Sequence, residues 1–211
     1  MIDLFCPDQC VGSVVDIDLD ALWRRGIRAL ILDVDNTLLA WEAEEIPAGV
    51  KAWVDRAREM GFRMCIASNG TRSRVMRIAE HLGVPAIPKA VKPRKRPFRR
   101  ALEMLGVTPE VTAVVGDQLF TDVLGGNRME LYTILINPVS RQELRTTKIV
   151  RKVEKKVLTR LYRKGLIDED ELAQVTGDPG ELGADRLIEV ARGCPAAAIG
   201  VTRDGQDVSV D

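Results

Sequence analysis

The chain predicts an α/β fold in which a parallel sheet lies between two layers of helices. Strand-like runs at residues 27–33, 62–67, 84–87, 111–115 and 131–136 alternate with helical patterns, and each run is apolar almost throughout. Continuous apolar strands are typical of parallel sheets that are buried on both faces. The 211 residues, 45% hydrophobic and 29% charged, suit one main soluble domain. We therefore expect a Rossmann-like three-layer α/β/α sandwich.

The helices between these strands are indicated by apolar residues at helical spacing. Such spacing occurs between residues 50 and 60 and between residues 98 and 105, and Gly61 and Gly106 follow as helix stops. Residues 73–82 predict another helix, and its last turn holds His81, the single histidine of the chain. A histidine at a helix end is favourable to the helix dipole, so we do not expect His81 to be a catalytic base.

The charge distribution predicts two regions, residues 1–164 and residues 165–211. Residues 141–164 carry 10 basic and 2 acidic side chains, whereas residues 165–211 carry 3 basic and 11 acidic ones. Arg141 to Lys164 has the pattern of an amphipathic helix, which either docks on the domain with a solvated basic face or meets anionic lipid. The acidic extension predicts a short helix capped by residues 168–171, a turn at residues 177–180, a helix at residues 185–192 and a hairpin around Asp204-Gly205.

Four polar motifs come at or just beyond the carboxyl ends of predicted strands. They are, in chain order, Asp33-Val34-Asp35-Asn36-Thr37, Ser68-Asn69-Gly70, Lys92-Pro93 and Gly116-Asp117 through Asp122. In an open parallel sheet, the carboxyl ends of the strands face one crevice. The motifs are therefore expected to meet there, although aspartates after strands also serve as turn formers and helix caps.

The residue types in these motifs indicate metal-assisted phosphoryl transfer. Two carboxylates two residues apart, Asp33 and Asp35, provide one group to attack phosphorus and another to handle the proton. Asp33, Asp117 and Asp122 beside Lys92 leave a net charge of about −2, which a divalent cation balances. Mg²⁺ is the expected ion because it favours carboxylates, carbonyls and phosphate oxygens.

The ordered set of motifs resembles the haloacid dehalogenase superfamily, subfamily IIIA. Residues 1 to about 160 resemble its YqeG group of uncapped phosphatases, which is related to mitochondrial phosphatidylglycerophosphate phosphatase. The stretches that carry the resemblance are Leu32 to Trp41, Ser68 to Gly70, Ala90 to Pro93 and Gly116 to Asn127. The last stretch is long and unusual enough to be highly specific.

The resemblance implies a role for each motif residue. It implies that Asp33 is the nucleophile, that Asp35 is the general acid and base, and that Lys92 balances charge. Asn36, Ser68, Asn69 and Lys92 are expected to bind the substrate phosphate. The implied Mg²⁺ ligands are the Asp33 carboxylate, the Asp35 backbone carbonyl, Asp117 and Asp122, the last directly or through water.

The spacing of the motifs indicates an open site and a bulky substrate. Only 34 residues separate Asp33 from Ser68 and 23 separate Ser68 from Lys92, too few for a cap domain. An open site suits a phosphate on a lipid headgroup, a protein or a nucleic-acid end, and the basic segment Lys92 to Arg100 lies beside the predicted mouth. The resemblance favours phosphatidylglycerophosphate. The alternatives are a phosphatase for protein or nucleic-acid phosphates and a docking protein, for example in ribosome assembly.

Several other classes of protein and site are not expected. No run of about 18 apolar residues indicates a membrane span, and no signal peptide is recognisable, so we expect a cytoplasmic protein, with peripheral membrane contact through the basic segments as an alternative. The four cysteines, Cys6, Cys10, Cys65 and Cys194, do not form a disulfide framework for this length. With one histidine, a closed zinc site at Cys6 and Cys10 lacks ligands.

Overall fold

The computed structural model describes residues 2–41, 43–140, 145–176, 201–203 and 206–208. Residues up to Val175 form one compact unit, and residues from Thr176 onward form a second. The first unit therefore continues past the boundary predicted at residue 164. It holds all the motifs described above.

The centre of the first unit is a six-stranded sheet in the order β1-β6-β5-β2-β3-β4. All neighbouring strands in it are parallel. The strands are β1 (Gln9–Val11), β2 (Ala29–Leu32), β3 (Arg63–Ala67), β4 (Ala86–Ile87), β5 (Thr112–Gly116) and β6 (Tyr132–Ile136). The five predicted strands are confirmed, with their ends correct to within about two residues. The edge strand β1 was not predicted.

The sheet is surrounded by helices that begin and end at recognisable signals. They are α1 (Leu19–Arg24), α2 (Ala48–Glu59), α3 (Arg72–Leu82), α4 (Lys95–Leu105), α5 (Leu124–Asn127), α6 (Arg145–Arg163) and α7 (Glu169–Thr176). The Asp18 carboxylate caps α1 by accepting a hydrogen bond from the Ala21 amide at 2.9 Å. Helices α3 and α4 end at Gly83 and Gly106, whose φ angles are 63° and 62° in the left-handed region that favours glycine.

Two apolar cores, one on each face of the sheet, confirm the three-layer architecture. Because successive strand residues point to opposite faces, Leu30 and Leu32 of β2 pack with α2 and α3. Ala29 and Ile31 of the same strand pack with α4. Between Asp33 and Ser68 the described residues form loops, helix α2 and strand β3. No cap domain is inserted in that part of the chain.

The second unit contains an antiparallel strand pair, β7 (Val201–Arg203) and β8 (Gln206–Val208), in which Val201 lies opposite Val208. The Asp204-Gly205 turn of the predicted hairpin lies outside the described residues. So do the turn predicted at 177–180 and the helix predicted at 185–192.

No helix in the described part of the chain combines the length and apolar character that crossing a membrane requires.

Candidate active site

Three buried carboxylates meet at the carboxyl edge of the sheet. Asp33, Asp117 and Asp122 each place an oxygen within 4.8 Å of the others. The topology explains this meeting, because β2 and β5 are neighbours and Asp33 and Asp117 follow them directly. Asp122 comes from the π-helical turn Leu119–Val123, a distortion that is frequent at functional sites.

Lys92 connects two of these carboxylates. Its Nζ lies 2.7 Å from Asp33 Oδ1 and 2.6 Å from Asp122 Oδ1, and its side chain is only 2% exposed. Burial alone lowers the pKa of Lys92, but the Asp122 and Asp33 carboxylates together outweigh burial and raise that pKa above its ordinary value. Lys92 is therefore a fixed positive charge between Asp33 and Asp122.

The Asn69 side chain contacts the backbone of Lys92 and fixes its position. Its Oδ1 accepts a hydrogen bond from the Lys92 amide at 2.9 Å, and its Nδ2 lies 3.4 Å from the Lys92 carbonyl. The structure thus gives Asn69, which the resemblance suggests as a phosphate-binding residue, a clear part in positioning the lysine loop.

Asp35 and Ser68 both lie close to Gly70. A Cβ atom built on Gly70 would lie 2.9 Å from Asp35 Oδ2 and 3.3 Å from Ser68 Oγ, so a side chain there would crowd both groups. The Gly70 amide donates to Ser68 Oγ at 3.1 Å. The predicted proton-handling group and the predicted phosphate-binding hydroxyl therefore share one corner of the site.

Arg74, which the sequence reasoning missed, holds Asp35. Its Nε donates to Asp35 Oδ1 at 2.8 Å, and its other nitrogens donate to the Ala43 and Ala40 carbonyls at 2.6 and 3.2 Å. Helix α3 is thereby tied to the loop that follows β2. No signal in the sequence distinguished Arg74 from the neighbouring arginines of α3.

The loop after β2 is closed by Asn36 and Thr37. Asn36 has a φ of 61°, its amide donates to the Leu39 carbonyl at 2.8 Å, and its Oδ1 accepts from the Trp41 amide at 3.3 Å. Asparagine tolerates this left-handed conformation better than most residues. The Thr37 hydroxyl lies 3.4 Å from Asp117 Oδ1. This contact joins the loops after β2 and β5.

Arg151 and Glu154 of α6 also belong to the site, and the sequence reasoning missed both. The Arg151 guanidinium donates to the Asp117 carbonyl and to Asp117 Oδ2. It also lies 3.3 Å from Glu154 Oε2, while Glu154 Oε1 accepts from the Phe120 amide at 3.2 Å. The available signal was Glu154 itself, one of only 2 acidic residues in the basic stretch 141–164.

The charges of this group fit a divalent cation. Four buried carboxylates, those of Asp33, Asp117, Asp122 and Glu154, lie beside two cations, the buried Lys92 and the partly exposed Arg151. The formal total is about −2, and uncompensated charge is costly in a buried site. Carboxylate oxygens are hard ligands of the kind that Mg²⁺ favours. The donor set therefore fits that ion.

Burial also shifts the titration of the carboxylates. Desolvation raises the pKa of Asp117 to about 8, against the opposing effect of Arg151. It likewise raises the pKa of Asp122, against the effect of Lys92, and the pKa of Glu154, against that of Arg151. Because a ligating carboxylate must be ionised, a cation bound by Asp117 would displace a proton near neutral pH.

Removing divalent cations should make the stability of the protein depend on pH. The folded-state pKa of Asp117 lies above its ordinary value of 3.8. The contribution of the protonated Asp117 to the free energy of unfolding is therefore full below about pH 4 and is lost as pH rises through about 8. In EDTA, we expect Tm to fall between about pH 5 and about pH 8.5, and Mg²⁺ should flatten the profile.

Differential scanning fluorimetry across this pH range, with EDTA or with Mg²⁺, measures the effect. The Asp117→Asn variant is the control, because its amide does not titrate and its slope in EDTA should be smaller than that of the wild type. A rising Tm over the same range in EDTA would contradict the assignment of a raised pKa to this group.

Gly116 is required for Asp122 to fold back against the end of β5. A Cβ atom on Gly116 would lie 2.2 Å from Asp122 Cγ and 2.3 Å from Asp122 Oδ2. We expect Gly116→Ala to lower the free energy of unfolding by about 1–3 kcal/mol, as overpacking does, and to reduce catalytic activity because Asp122 is displaced.

Urea denaturation and an activity assay of the same preparation measure both effects. Gly49→Ala in α2 is a matched control, since its Cβ would meet only Val15 Cγ1 at 3.7 Å. That change should leave activity intact and stabilise the helix by roughly 0.5–1 kcal/mol. Wild-type activity in Gly116→Ala would show that Asp122 tolerates displacement.

Curated proteins similar to this chain are phosphatases. The chain is 38% identical over 167 residues to the probable phosphatase YqeG of Bacillus subtilis, covering 79% of this chain and 97% of that protein. It is 28% identical over 182 residues to phosphatidylglycerophosphate phosphatase 1 of Arabidopsis thaliana, covering 81% of this chain and 52% of that protein. The alignment therefore spans about half the length of the plant protein.

A family model described as haloacid dehalogenase-like hydrolase matches residues 39–129. This range contains Ser68, Lys92, Asp117 and Asp122 and ends before α6. The similarity to YqeG extends well beyond that range in length. Together with the acidic cluster at the edge of a parallel sheet, these matches show that the chain belongs to the haloacid dehalogenase-like hydrolases and is a phosphatase of that superfamily.

Proposed function

We propose that the protein is a magnesium-dependent phosphomonoesterase that acts through an aspartyl-phosphate on Asp33. The observation that carries this proposal is the position of the Asp33 carboxylate, 2.7 Å from Lys92 and within the cluster of three carboxylates. The positive charge of Lys92 lessens the repulsion between the Asp33 carboxylate and an anionic phosphate, and a bound divalent cation would offset the charge that remains.

The chemistry follows from two carboxylates. An Asp33 oxygen attacks phosphorus, the bond between phosphorus and the leaving oxygen breaks, and Asp35 gives its proton to that oxygen. Asp35 then takes a proton from a water whose oxygen attacks the same phosphorus. The bond to Asp33 breaks, and inorganic phosphate leaves. Arg74, 2.8 Å from Asp35, fixes the direction of this proton-handling group.

The other site residues hold the phosphate and the cation. Asp33, Asp117, Asp122 and the Asp35 carbonyl would hold Mg²⁺, which when bound supplies Lewis-acid neutralisation of the phosphoryl oxygens. The Ser68 hydroxyl and the loop containing Asn36 contribute hydrogen bonds to those oxygens. Lys92 balances the charge shared by phosphate and Asp33.

The substrate that best suits the surroundings of the site is a lipid phosphate of the phosphatidylglycerophosphate kind. Val91 precedes Lys92 and is 52% exposed, and Val139, which is 47% exposed, donates its amide to the Asn36 carbonyl at 3.0 Å. Two exposed apolar side chains thus adjoin a polar site, as an amphiphilic substrate requires. The plant relative named above bears that substrate in its name.

Basic surfaces support a target carried on an anionic membrane. Exposed basic residues of α4 and the residue before it lie just beyond Lys92: Arg94, Lys95, Arg96, Arg99 and Arg100. Helix α6 exposes Lys152, Lys156 and Arg160 beside Val153, which is 46% exposed. Cations interspersed with apolar residues favour peripheral contact with anionic lipid.

A substrate panel tests the proposal. Purified protein with Mg²⁺ should hydrolyse an aryl phosphate and should act most efficiently on phosphatidylglycerophosphate in mixed micelles. A phosphopeptide, a 5′-phosphorylated oligonucleotide and glycerol 3-phosphate complete the panel. A higher kcat/KM for the peptide or the oligonucleotide would assign the enzyme to that substrate class. No turnover of any compound would favour a docking function.

Variants of Val91 and Val139 distinguish binding of the lipid from the catalytic step. Changing Val91 and Val139 together to serine should lower kcat/KM for the lipid and leave aryl phosphate hydrolysis unchanged. Val15→Ser is the matched control, because Val15 is 44% exposed in a separate turn. Equal loss on both substrates would mean that the two valines act on the catalytic loops and not on the lipid.

A further inference from the structure

Helix α6 reaches the acidic cluster through a pair of opposite charges. We propose that Arg151 and Glu154 are positioning residues that fix the Asp117 carboxylate for cation binding, an inference that rests on the proposed function. The pair lies outside residues 39–129, where the family model matches. Cation affinity in this protein therefore depends on a helix that follows the motif-bearing part of the chain.

The contacts leave Asp117 little freedom to turn. The guanidinium of Arg151 is forked between the Asp117 carbonyl and Asp117 Oδ2, so both the backbone and the side chain of that residue are held. The other oxygen, Oδ1, lies 3.4 Å from the Thr37 hydroxyl. The Asp117 side chain is fully buried, which removes competition from water. Arg151 thus engages one carboxylate oxygen and leaves the second to a cation.

Glu154 anchors the arginine and the acidic turn together. Its Oε2 lies 3.3 Å from Arg151, and its Oε1 accepts a hydrogen bond from the Phe120 amide at 3.2 Å. Phe120 belongs to the turn Leu119–Val123, which carries Asp122. The glutamate is only 3% exposed. One buried carboxylate therefore links α6 directly to the turn that carries Asp122 and, through Arg151, to Asp117.

The charge balance favours orientation over simple charge compensation. Arg151 and Glu154 together carry no net charge, so the pair does not change the net charge of the acidic cluster. A lone arginine beside a metal ligand would repel a cation. A neutral pair does not, so its main effect is on the orientation of the Asp117 carboxylate. Groups that hydrogen-bond a metal ligand typically change metal affinity or activity by about 10–100-fold when they are lost.

A charge-matched double variant isolates this effect. Arg151→Met combined with Glu154→Gln removes the forked contact without changing the net charge of the site. Isothermal titration of MgCl₂ into the full-length protein should show a Kd that is about 10–100-fold higher than in the wild type. Lys152→Met is the matched control, since Lys152 is the exposed neighbour of Arg151 on α6, and its Kd should equal that of the wild type.

A conservative variant keeps the test valid if the double variant folds poorly. Arg151→Lys keeps the positive charge but lacks the fork, so its Kd for Mg²⁺ should lie between those of the wild type and the double variant, with circular dichroism confirming the fold. Wild-type or tighter Mg²⁺ binding in a folded double variant, or in Arg151→Lys, would overturn the inference. Calorimetry measures Mg²⁺ binding without any turnover. A wild-type protein that binds Mg²⁺ but hydrolyses no substrate would therefore contradict the proposed function and leave the inference about Arg151 and Glu154 standing.

Discussion

Replacing Asp33 with asparagine is expected to abolish phosphate-ester hydrolysis, with a loss in kcat on the order of 10³-fold or more. The amide keeps the size and shape of the carboxylate, but its oxygen is a far weaker nucleophile and cannot form the acyl phosphate. The fold should survive, because Lys92 keeps its ion pair with Asp122 and the change removes one of the like charges around Asp117 and Asp122. Steady-state kinetics with an aryl phosphate, together with thermal melting, measures both outcomes.

The control for Asp33→Asn is Asp170→Asn. Asp170 is an exposed carboxylate in the first turn of α7, and its replacement should leave kcat and KM unchanged. Retention of wild-type turnover in Asp33→Asn would remove Asp33 from the mechanism. A fall in turnover in both variants would point to general damage.

The proposed phosphoryl intermediate on Asp33 can also be tested directly. Asp35→Asn removes the group proposed to deprotonate the attacking water, so the phosphorylated enzyme should persist longer than in the wild type. Acid quenching followed by peptide mass spectrometry should then find one phosphoryl group on the peptide that contains Asp33. A phosphoryl group on Ser68 instead would make that residue the nucleophile.

The sequence was sufficient for the parts of the fold that depend on local pattern. Apolar runs predicted β2, β3, β5 and β6, and the carboxyl ends of β2 and β5 predicted that Asp33 and Asp117 would meet. The rule that parallel strands end at one edge does not require any knowledge of packing. Strand β1 was not predicted because its three residues, Gln9–Val11, are too few to show a pattern of apolar residues.

The contacts made by helices were beyond sequence reasoning. Arg151 meets Asp117 across 34 positions of the chain, and Arg74 meets Asp35 across 39 positions. Helical periodicity shows which face of a helix is apolar, but it does not show which cation at the border of that face reaches a carboxylate of another element. Such a pairing is decided by the packing angle and depth of the helix.

Backbone strain in the site was equally hidden. Four described residues other than glycine have a positive φ, and three of these are Asn36, Lys89 and Val91 in the loops of the site. A β-branched residue such as Val91 is rare in this region, and strain of this kind costs on the order of 1–3 kcal/mol. The contacts of Asn69 with the Lys92 backbone help to offset it. The strained loop ends at the lysine that bridges the carboxylates.

Replacing Lys92 with methionine is the second change expected to have a large effect. The side chain is 2% exposed and bonds to Asp33 and Asp122, so its loss leaves two buried carboxylates without their shared cation. Breaking a buried ion pair in this way lowers the free energy of unfolding by about 3–5 kcal/mol. Activity should fall by roughly 10²-fold or more, because in the proposed mechanism Lys92 also balances the charge of the phosphate.

Chemical denaturation in EDTA and in Mg²⁺ tests the physical cause of that loss. If uncompensated charge destabilises Lys92→Met, Mg²⁺ should stabilise this variant more than the wild type, since the cation supplies part of the missing positive charge. Lys95→Met is the control, because Lys95 is an exposed lysine at the start of α4 and its loss should change neither stability nor its Mg²⁺ dependence. The opposite result is that Mg²⁺ stabilises Lys92→Met and the wild type equally. Lys92 would then act through packing, and protons would neutralise Asp33 and Asp122 when the lysine is absent.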